Sequence, residues 1–263
     1  MDERPQAARI RALIDELASL VSLAPGTPAD GPLAARPVTA DASLARRIDH
    51  TLLKADATVA DLRRLCDEAL AHGFATVCVN SGNVARCAAW LSGSTVGVCT
   101  VVGFPLGASS PEAKAFEART AVRDGAAEID TVINVGALKS MELDRVLADL
   151  RGVVEAAAPV PVKVILETSM LSEREKVAGC VLSLLAGARF VKTSTGFGGG
   201  GATVEDVALM RRVVGDAMQV KASGGIRTRE DAVRMIAAGA DRLGTSAGVA
   251  IVGGSPGGSA AGY

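Results

Sequence analysis

The stretch Phe190-Val-Lys-Thr-Ser-Thr-Gly-Phe197 decides how this chain is read. Two apolar, strand-favouring residues open it, a lysine stands where a buried strand ordinarily carries Val or Ile, and Thr, Ser and Gly close it. Desolvating an ammonium is costly unless a counter-charge or a lowered pKa offsets it. Lys192 therefore either snorkels into water from the mouth of a strand or has a chemical task.

Two further Val-Lys pairs bear on that choice. Lys163, in Val162-Lys-Val-Ile-Leu-Glu-Thr168, and Lys221, in Val220-Lys-Ala-Ser-Gly-Gly225, stand 29 residues before and 29 after Lys192. That interval is one βα unit, and it is expected to set the three lysines at comparable heights in neighbouring parallel strands. Crowded ammonium groups favour loss of a proton from the least solvated one, which frees an amine to attack a carbonyl.

With 263 residues, 49% apolar and 22% charged, the chain suits one large domain of α/β-barrel size. A net charge of −1 gives no electrostatic case for nucleic acid or for an anionic membrane. The five cysteines lack Cys-x-x-Cys spacing and there are two histidines, so neither a disulfide framework nor a zinc site is expected. Apolar runs are of strand length, short of the ~20 residues that span a bilayer. A soluble, reduced, cytoplasmic protein is the expectation.

Residues 9–23 place Ile10, Leu13, Ile14, Leu17, Leu20 and Val21 at helical spacing, with charges between them. Residues 24–40 are rich in Pro, Gly and Ala and read as a linker. Residues 1–40 are thus an N-terminal extension, 41–252 the main domain and 253–263 a Gly-rich tail. Within the main domain, strand patterns recur at 48–53, 75–80, 96–103, 128–135, 162–168, 190–195, 219–223 and 242–245. Amphipathic stretches follow them, most clearly 142–157 with its stripe of Leu143, Val146, Leu147, Leu150, Val153 and Val154. Thr58, Ser172, Thr203 and Thr228 each precede an acid by three residues, the mark of a capped helix start. Eight such units predict a (βα)8 TIM barrel with an N-terminal helical extension.

Barrel sites lie where the strands end. The candidate pocket groups are Asp49 and Thr51, Cys78 and Asn80, Thr100, Asp130 and Asn134, Lys163 and Glu167, Lys192 and Thr195, Lys221 and Ser223. Most of the Thr, Asn and Cys residues need no more than a local backbone partner. Asp130 is different, because an unpaired carboxylate inside the strand-like Glu128-Ile-Asp-Thr-Val-Ile-Asn-Val135 is costly. After the seventh strand comes Ser223-Gly224-Gly225-Ile226-Arg227, and after the eighth Gly244-Thr245-Ser246-Ala247-Gly248. Two glycine-bearing loops at that pair of strands point to a phosphate site and a phosphorylated small molecule.

The segments Ile48–Leu53, Val77–Asn80, Glu128–Asp130, Val162–Thr168, Phe190–Gly196 and Val220–Arg227, in that order, resemble the deoxyribose-phosphate aldolase family over about residues 41–252. The resemblance implies reversible cleavage of 2-deoxy-D-ribose 5-phosphate to acetaldehyde and D-glyceraldehyde 3-phosphate, without metal or cofactor, by a homodimer. It places the Schiff base on Lys192, a tuning cation at Lys221 and proton transfer at Asp130. Around the substrate it sets Asp49, Thr51, Cys78, Lys163, Thr195, Gly196, Gly224, Gly225, Gly244 and Ser246. Lys163 is expected to hold the proton network or to pair with Glu167. Phe197 and Ala247 depart from the pattern by removing a lysine and a serine that some members place near the phosphate. Tyr263 ends a tail whose reach is about 17 Å; some members also end in a tyrosine that relays a proton to the enamine. Two other readings stay open: a Schiff-base lyase for a different sugar phosphate, and a sugar-phosphate-binding protein without turnover.

Overall fold

The structure is a computed structural model that describes residues 4–22 and 44–253. Eight strands, β1 (Ile48–Leu52), β2 (Thr76–Val79), β3 (Gly97–Val102), β4 (Glu128–Val132), β5 (Val162–Ile165), β6 (Phe190–Lys192), β7 (Gln219–Ser223) and β8 (Arg242–Thr245), pair in parallel and in sequence order. β8 pairs back onto β1, and the barrel is closed. The predicted (βα)8 architecture is the one observed.

The helices form where the sequence signals them. Thr58, Ser172 and Thr228 each accept a hydrogen bond from the backbone N–H three residues on, and the acid there bonds back to the cap's own N–H. Thr203 accepts from Asp206 in the same way. The helix Leu143–Ala157 buries Leu143, Val146, Leu147, Leu150 and Val153 against the barrel, each worth about 1.5–3 kcal/mol. The N-terminal helix Arg4–Ser22 begins earlier than the expected residue 9. It lies against the helix Glu173–Leu185, with Ile10 and Ile14 buried and Asp15 2.7 Å from Arg174.

Two expectations need correction. The strand patterns overrun the real strands on the side of the site: β4 ends at Val132, β5 at Ile165 and β6 at Lys192. Single backbone bonds reach past these ends, from the Ile133 N–H to the Ile165 carbonyl at 3.0 Å, from Leu166 to Lys192 at 2.9 Å and from Thr193 to Lys221 at 3.1 Å, and side-chain bonds then join them. Asn134 caps the following helix, Glu167 takes a left-handed conformation (φ 58°), and the Thr193 hydroxyl donates to the Ser223 carbonyl at 3.0 Å. The second correction concerns the lysines. Lys192 and Lys221 are register partners, but Lys192 pairs with Ile165 on the other side, so Lys163 lies two residues nearer the start of its strand. Closing a barrel requires such a stagger, and a constant sequence interval does not survive it as a constant height.

Candidate active site

Barrel interiors are ordinarily filled by bulky branched apolar side chains. This one is filled by charge. Asp49, Asp130, Lys163 and Lys221 are fully buried and Lys192 nearly so. Asp130 is the hub: its Oδ2 is 2.8 Å from both Lys192 Nζ and Lys221 Nζ, and its Oδ1 is 2.8 Å from Lys163 Nζ. Lys221 also lies 2.5 Å from Asp49, and Lys163 lies 3.2 Å from the Cys99 sulfur. Burial alone would push the Asp130 carboxyl up, but Lys163, Lys192 and Lys221 together hold it well below the usual carboxylate range. Burial likewise opposes the charges of Lys163 and Lys221, and Asp130 foremost among their anionic neighbours outweighs it, so both ammonium groups are held above their ordinary range.

Of the two expected places for Lys163, beside the proton network or paired with Glu167, it takes the first, 2.8 Å from Asp130. Its carboxylate partners are Asp130 and, at 2.5 Å, Glu128, with Asp49 3.6 Å away. Glu167 instead accepts from the Thr195 N–H at 3.2 Å and from the Thr195 hydroxyl. That anchor fixes the loop after β6, and Gly198 lets the loop close on it, since a Cβ there would stand 2.7 Å from the Glu167 carboxyl carbon. The loop after β6 also presses on the loop after β7. A Cβ at Gly201 would fall 2.5 Å from the Gly224 carbonyl oxygen, which accepts the Ala202 N–H at 2.9 Å.

Between those loops opens a cavity of about 350 Å³, lined by Gly196, Gly200, Gly224, Gly225, Arg227 and Ser246 among others. Four of the expected substrate residues therefore meet in one place: Gly196, Gly224, Gly225 and Ser246. Gly244 does not line it. It lies within β8, where a Cβ would stand 3.0 Å from Lys221 Cε, and so it makes room for that lysine. Phe197 turns toward a second, more apolar cavity of about 110 Å³ and meets Phe104 edge-on, ring centroids 5.2 Å apart. Thr51 bonds its own strand, donating to the Asp49 carbonyl at 2.9 Å. Cys78 is buried beside Cys99, its register partner. Tyr263 lies outside the described residues.

Reading from sequence missed three charged residues here. Arg227 is the cationic side chain among those lining the larger cavity. Glu128 and Arg242 close the opposite end of the interior, with Arg242 2.6 Å from Asp49 and 3.1 Å from Glu128. Two sets, Cys78 with Cys99 and Asp130, and Asp49 with Cys99 and Glu128, bring possible metal ligands within 4.8 Å of one another. In both sets the carboxylates already bond lysine or arginine cations, which supply the charge a metal would bring.

Comparison with known proteins decides the family. Residues 44–253 match the model of the DeoC/LacD family aldolases. The chain belongs to the DeoC/LacD aldolase family. This DeoC/LacD aldolase is 58% identical over 211 residues to the deoxyribose-phosphate aldolase of Geobacillus sp. (strain WCH70), covering 80% of this chain and 95% of that one. It is 59% identical over 208 residues to the deoxyribose-phosphate aldolase of Brevibacillus brevis, with 79% and 94% coverage. Among solved structures it resembles the deoxyribose phosphate aldolase of Aeropyrum pernix, whose tetrameric structure is described as unique. That match has a TM-score of 0.77 at 36% identity, over 81% of this chain and 91% of that one.

Proposed function

We propose that this aldolase cleaves 2-deoxy-D-ribose 5-phosphate reversibly to acetaldehyde and D-glyceraldehyde 3-phosphate, with Lys192 as the Schiff-base lysine. The observation that carries the reading is the arrangement of amines around Asp130. Among the described residues Lys163 pairs with three carboxylates and Lys221 with two, whereas Lys192 pairs with Asp130 alone and shares it. Lys192 is also the one lysine of the three whose side chain retains some exposure, 4% against 0%. Among the described residues, Asp49, Asp130 and Glu128 face Lys163, Lys221 and Arg242, so the interior is charge-balanced when Lys192 is an amine. Lys192 ends β6, and the loop that follows lines the larger cavity with Gly196 and Gly200, so an amine and a cavity suited to phosphate share one strand end, as addition to a phosphorylated aldehyde requires.

The Lys192 amine adds to the C1 aldehyde, and loss of water gives an iminium. Asp130, directly or through water, takes the C3 hydroxyl proton while the C2–C3 bond breaks and its electron pair moves into the iminium. Glyceraldehyde 3-phosphate leaves. The enamine is protonated at C2 and hydrolysed to acetaldehyde. Lys221 holds Asp130 ionised, and Lys163 does the same from below. The phosphate is assigned to the glycine-walled loop of Gly224 and Gly225, to Ser246 and to Arg227, which supplies charge where Phe197 and Ala247 do not. Proton delivery by Tyr263, assembly as a homodimer and a cytoplasmic location belong to the same proposal. No described helix is long and apolar enough to cross a membrane.

Incubation with deoxyribose 5-phosphate and borohydride, followed by peptide mapping, tests the assignment. An adduct on Lys192 is expected. Modification of Lys163 or Lys221 would transfer the role, and absence of any adduct would favour a binding protein.

A further inference from the structure

Two charged side chains at the N-terminal mouth of the barrel take no part in the reaction as drawn, yet they join its charged core. Glu128, the first residue of β4, and Arg242, the first of β8, form a two-pronged pair: Arg242 Nη1 donates to Glu128 Oε2 at 3.1 Å and Nη2 to Oε1 at 3.2 Å. Glu128 Oε2 is 2.5 Å from Lys163 Nζ, and Arg242 Nη1 is 2.6 Å from Asp49 Oδ1. Side-chain exposure is 14% for Glu128 and 17% for Arg242, against 0% for Asp49, Lys163, Asp130 and Lys221. Two unbroken chains of ion pairs therefore run up the barrel axis and meet at Asp130. One passes from Glu128 through Lys163, the other from Arg242 through Asp49 and Lys221, and Asp130 hands both to Lys192. Phe190 seals this end, with the Lys163 nitrogen and the Arg242 guanidinium each 5.6 Å from its ring centre.

We infer that Glu128 and Arg242 are positioning residues for the amine chemistry: from the far end of the barrel they set the charge balance that leaves Lys192 as the reactive amine. The inference rests on the assignment of Lys192 above. A plug that served only to fill the barrel end has no need of charge, and desolvating an arginine and a glutamate for that purpose compares poorly with apolar filling. Here each charge is spent inward. The groups facing Glu128 are Lys163 from β5, Arg242 from β8, Cys99 from β3 and Asp49 from β1. Those facing Arg242 are Asp49, Glu128 and the Phe190 ring, with Lys221 its register partner. Burial opposes the Arg242 charge, but Asp49 and Glu128 hold it firmly protonated, and Asp49 in turn is held ionised against burial by Lys221, Lys163 and Arg242.

The sign of the effect follows. Removing an anion from a buried cluster makes every amine in it easier to deprotonate, and removing a cation makes it harder. Glu128→Gln is therefore expected to move the acid limb of the kcat/KM profile for deoxyribose 5-phosphate to lower pH, and Arg242→Gln to move it to higher pH, each by about one unit. Substrate ionisation is common to all three enzymes, so differences between their profiles are the readout. Borohydride trapping with peptide mapping is run alongside. Arg242→Lys, which keeps the charge, is expected to leave the limb within about 0.3 unit of the parent, and if Arg242→Gln does not fold, a Glu128→Gln limb that moves to lower pH while that of Arg242→Lys stays is the expected result. Limbs that stay put, or that move in the same direction in the two charge-removing variants, would make the pair a structural plug and overturn the inference. So would an Arg242→Lys limb displaced as far as that of Glu128→Gln. An adduct on a lysine other than Lys192 in the parent enzyme overturns the assignment of the nucleophile instead, a separate outcome.

Discussion

Lys114 and Lys192 are both buried lysines bonded to an aspartate, at 2.6 Å and 2.8 Å, and they sit in opposite surroundings. Lys114 leaves the helix Pro111–Arg123, reaches Asp149 on the helix Leu143–Ala157, and donates to the Val132 carbonyl at the end of β4 at 2.9 Å. Among the described residues no other cation bonds Asp149. Burial lowers the Lys114 pKa and raises that of Asp149, each against the pull of the other, so the pair is drawn toward the neutral forms. In the barrel the balance is reversed: Lys163 and Lys221 are held charged because each meets more than one carboxylate. A private ion pair braces two helices against a strand. A shared one stores charge that the proposed reaction would draw on, and sharing, more than burial, separates the lysine proposed for chemistry from the structural one.

The contrast breaks most visibly at Lys192. Lys192→Ala is expected to lower kcat/KM by about 10⁴-fold or more, since the covalent route is lost outright, and to abolish borohydride trapping while the circular dichroism of the barrel is kept. Residual trapping on another lysine would show that the nucleophile lies elsewhere. Lys221→Leu comes next. It takes one cation from Asp130 and Asp49, so turnover at pH 7 is expected to fall by about 10²-fold and to recover in part in alkali, where the remaining amines deprotonate more readily. A pH–rate profile of unchanged shape would remove Lys221 from the tuning role.

Lys114 is the control. Lys114→Met leaves the Asp149 carboxylate buried without its partner, so chemical denaturation should show a loss of about 3–5 kcal/mol. The double variant Lys114→Met/Asp149→Leu should recover most of that loss, because a well-packed apolar pair can replace a buried ion pair at little net cost. In both, kcat/KM is expected to stay within about threefold of the parent, since neither group touches the Asp130 cluster. If Lys114→Met shifted the pH–rate profile as Lys221→Leu does, the distinction between private and shared pairs would fail.

That distinction was only partly legible in the sequence. Lys163, Lys192, Lys221 and Asp130 announce themselves because each interrupts an apolar strand pattern, and although one such lysine can snorkel into water, three at equal intervals with a carboxylate ask for a common reason. Lys114 sits among Glu112, Glu117 and Arg119 on a helix and reads as part of a solvated face; only the approach of Asp149 from 35 residues away gives it a partner. Glu128 and Arg242 stand at the first positions of their strands, where a charge is ordinarily solvated, so their inward aim is a property of the closed barrel. The strand ends were overrun for a related reason. Ile133 and Leu166 continue the apolar pattern and each still donates one backbone bond to the next strand, and what stops the strands just beyond them is the left-handed backbone of Glu167 and the side-chain cap of Asn134. Tyr263, expected from the reach of the tail and from resemblance, lies outside the described residues.

The smallest effect is expected where a charge is mostly solvated but touches the site through the backbone. Asp231 accepts the N–H groups of Arg227 and Thr228, each at 3.1 Å, and so ties the loop that lines the larger cavity to the start of the helix Arg229–Ala237. Partial burial raises the Asp231 pKa, but those two N–H bonds outweigh it and leave the carboxyl below its ordinary value. A carboxyl whose folded pKa is depressed adds stability above its unfolded value and loses that contribution as pH falls through the folded one. Asp231→Asn is therefore expected to lower Tm by about 1 °C at pH 7 and by less near pH 3, where the parent carboxylate is itself being protonated. Because the same bonds hold Arg227, KM for the phosphorylated substrate should rise about twofold while kcat is kept, the signature of an interaction made equally in ground and transition states. A Tm difference that persists unchanged at pH 3 would assign the loss to the shape of the side chain. A fall in kcat would mean that the cavity loop is coupled to the amine cluster, and the line drawn here between shared and solitary charges would have to move.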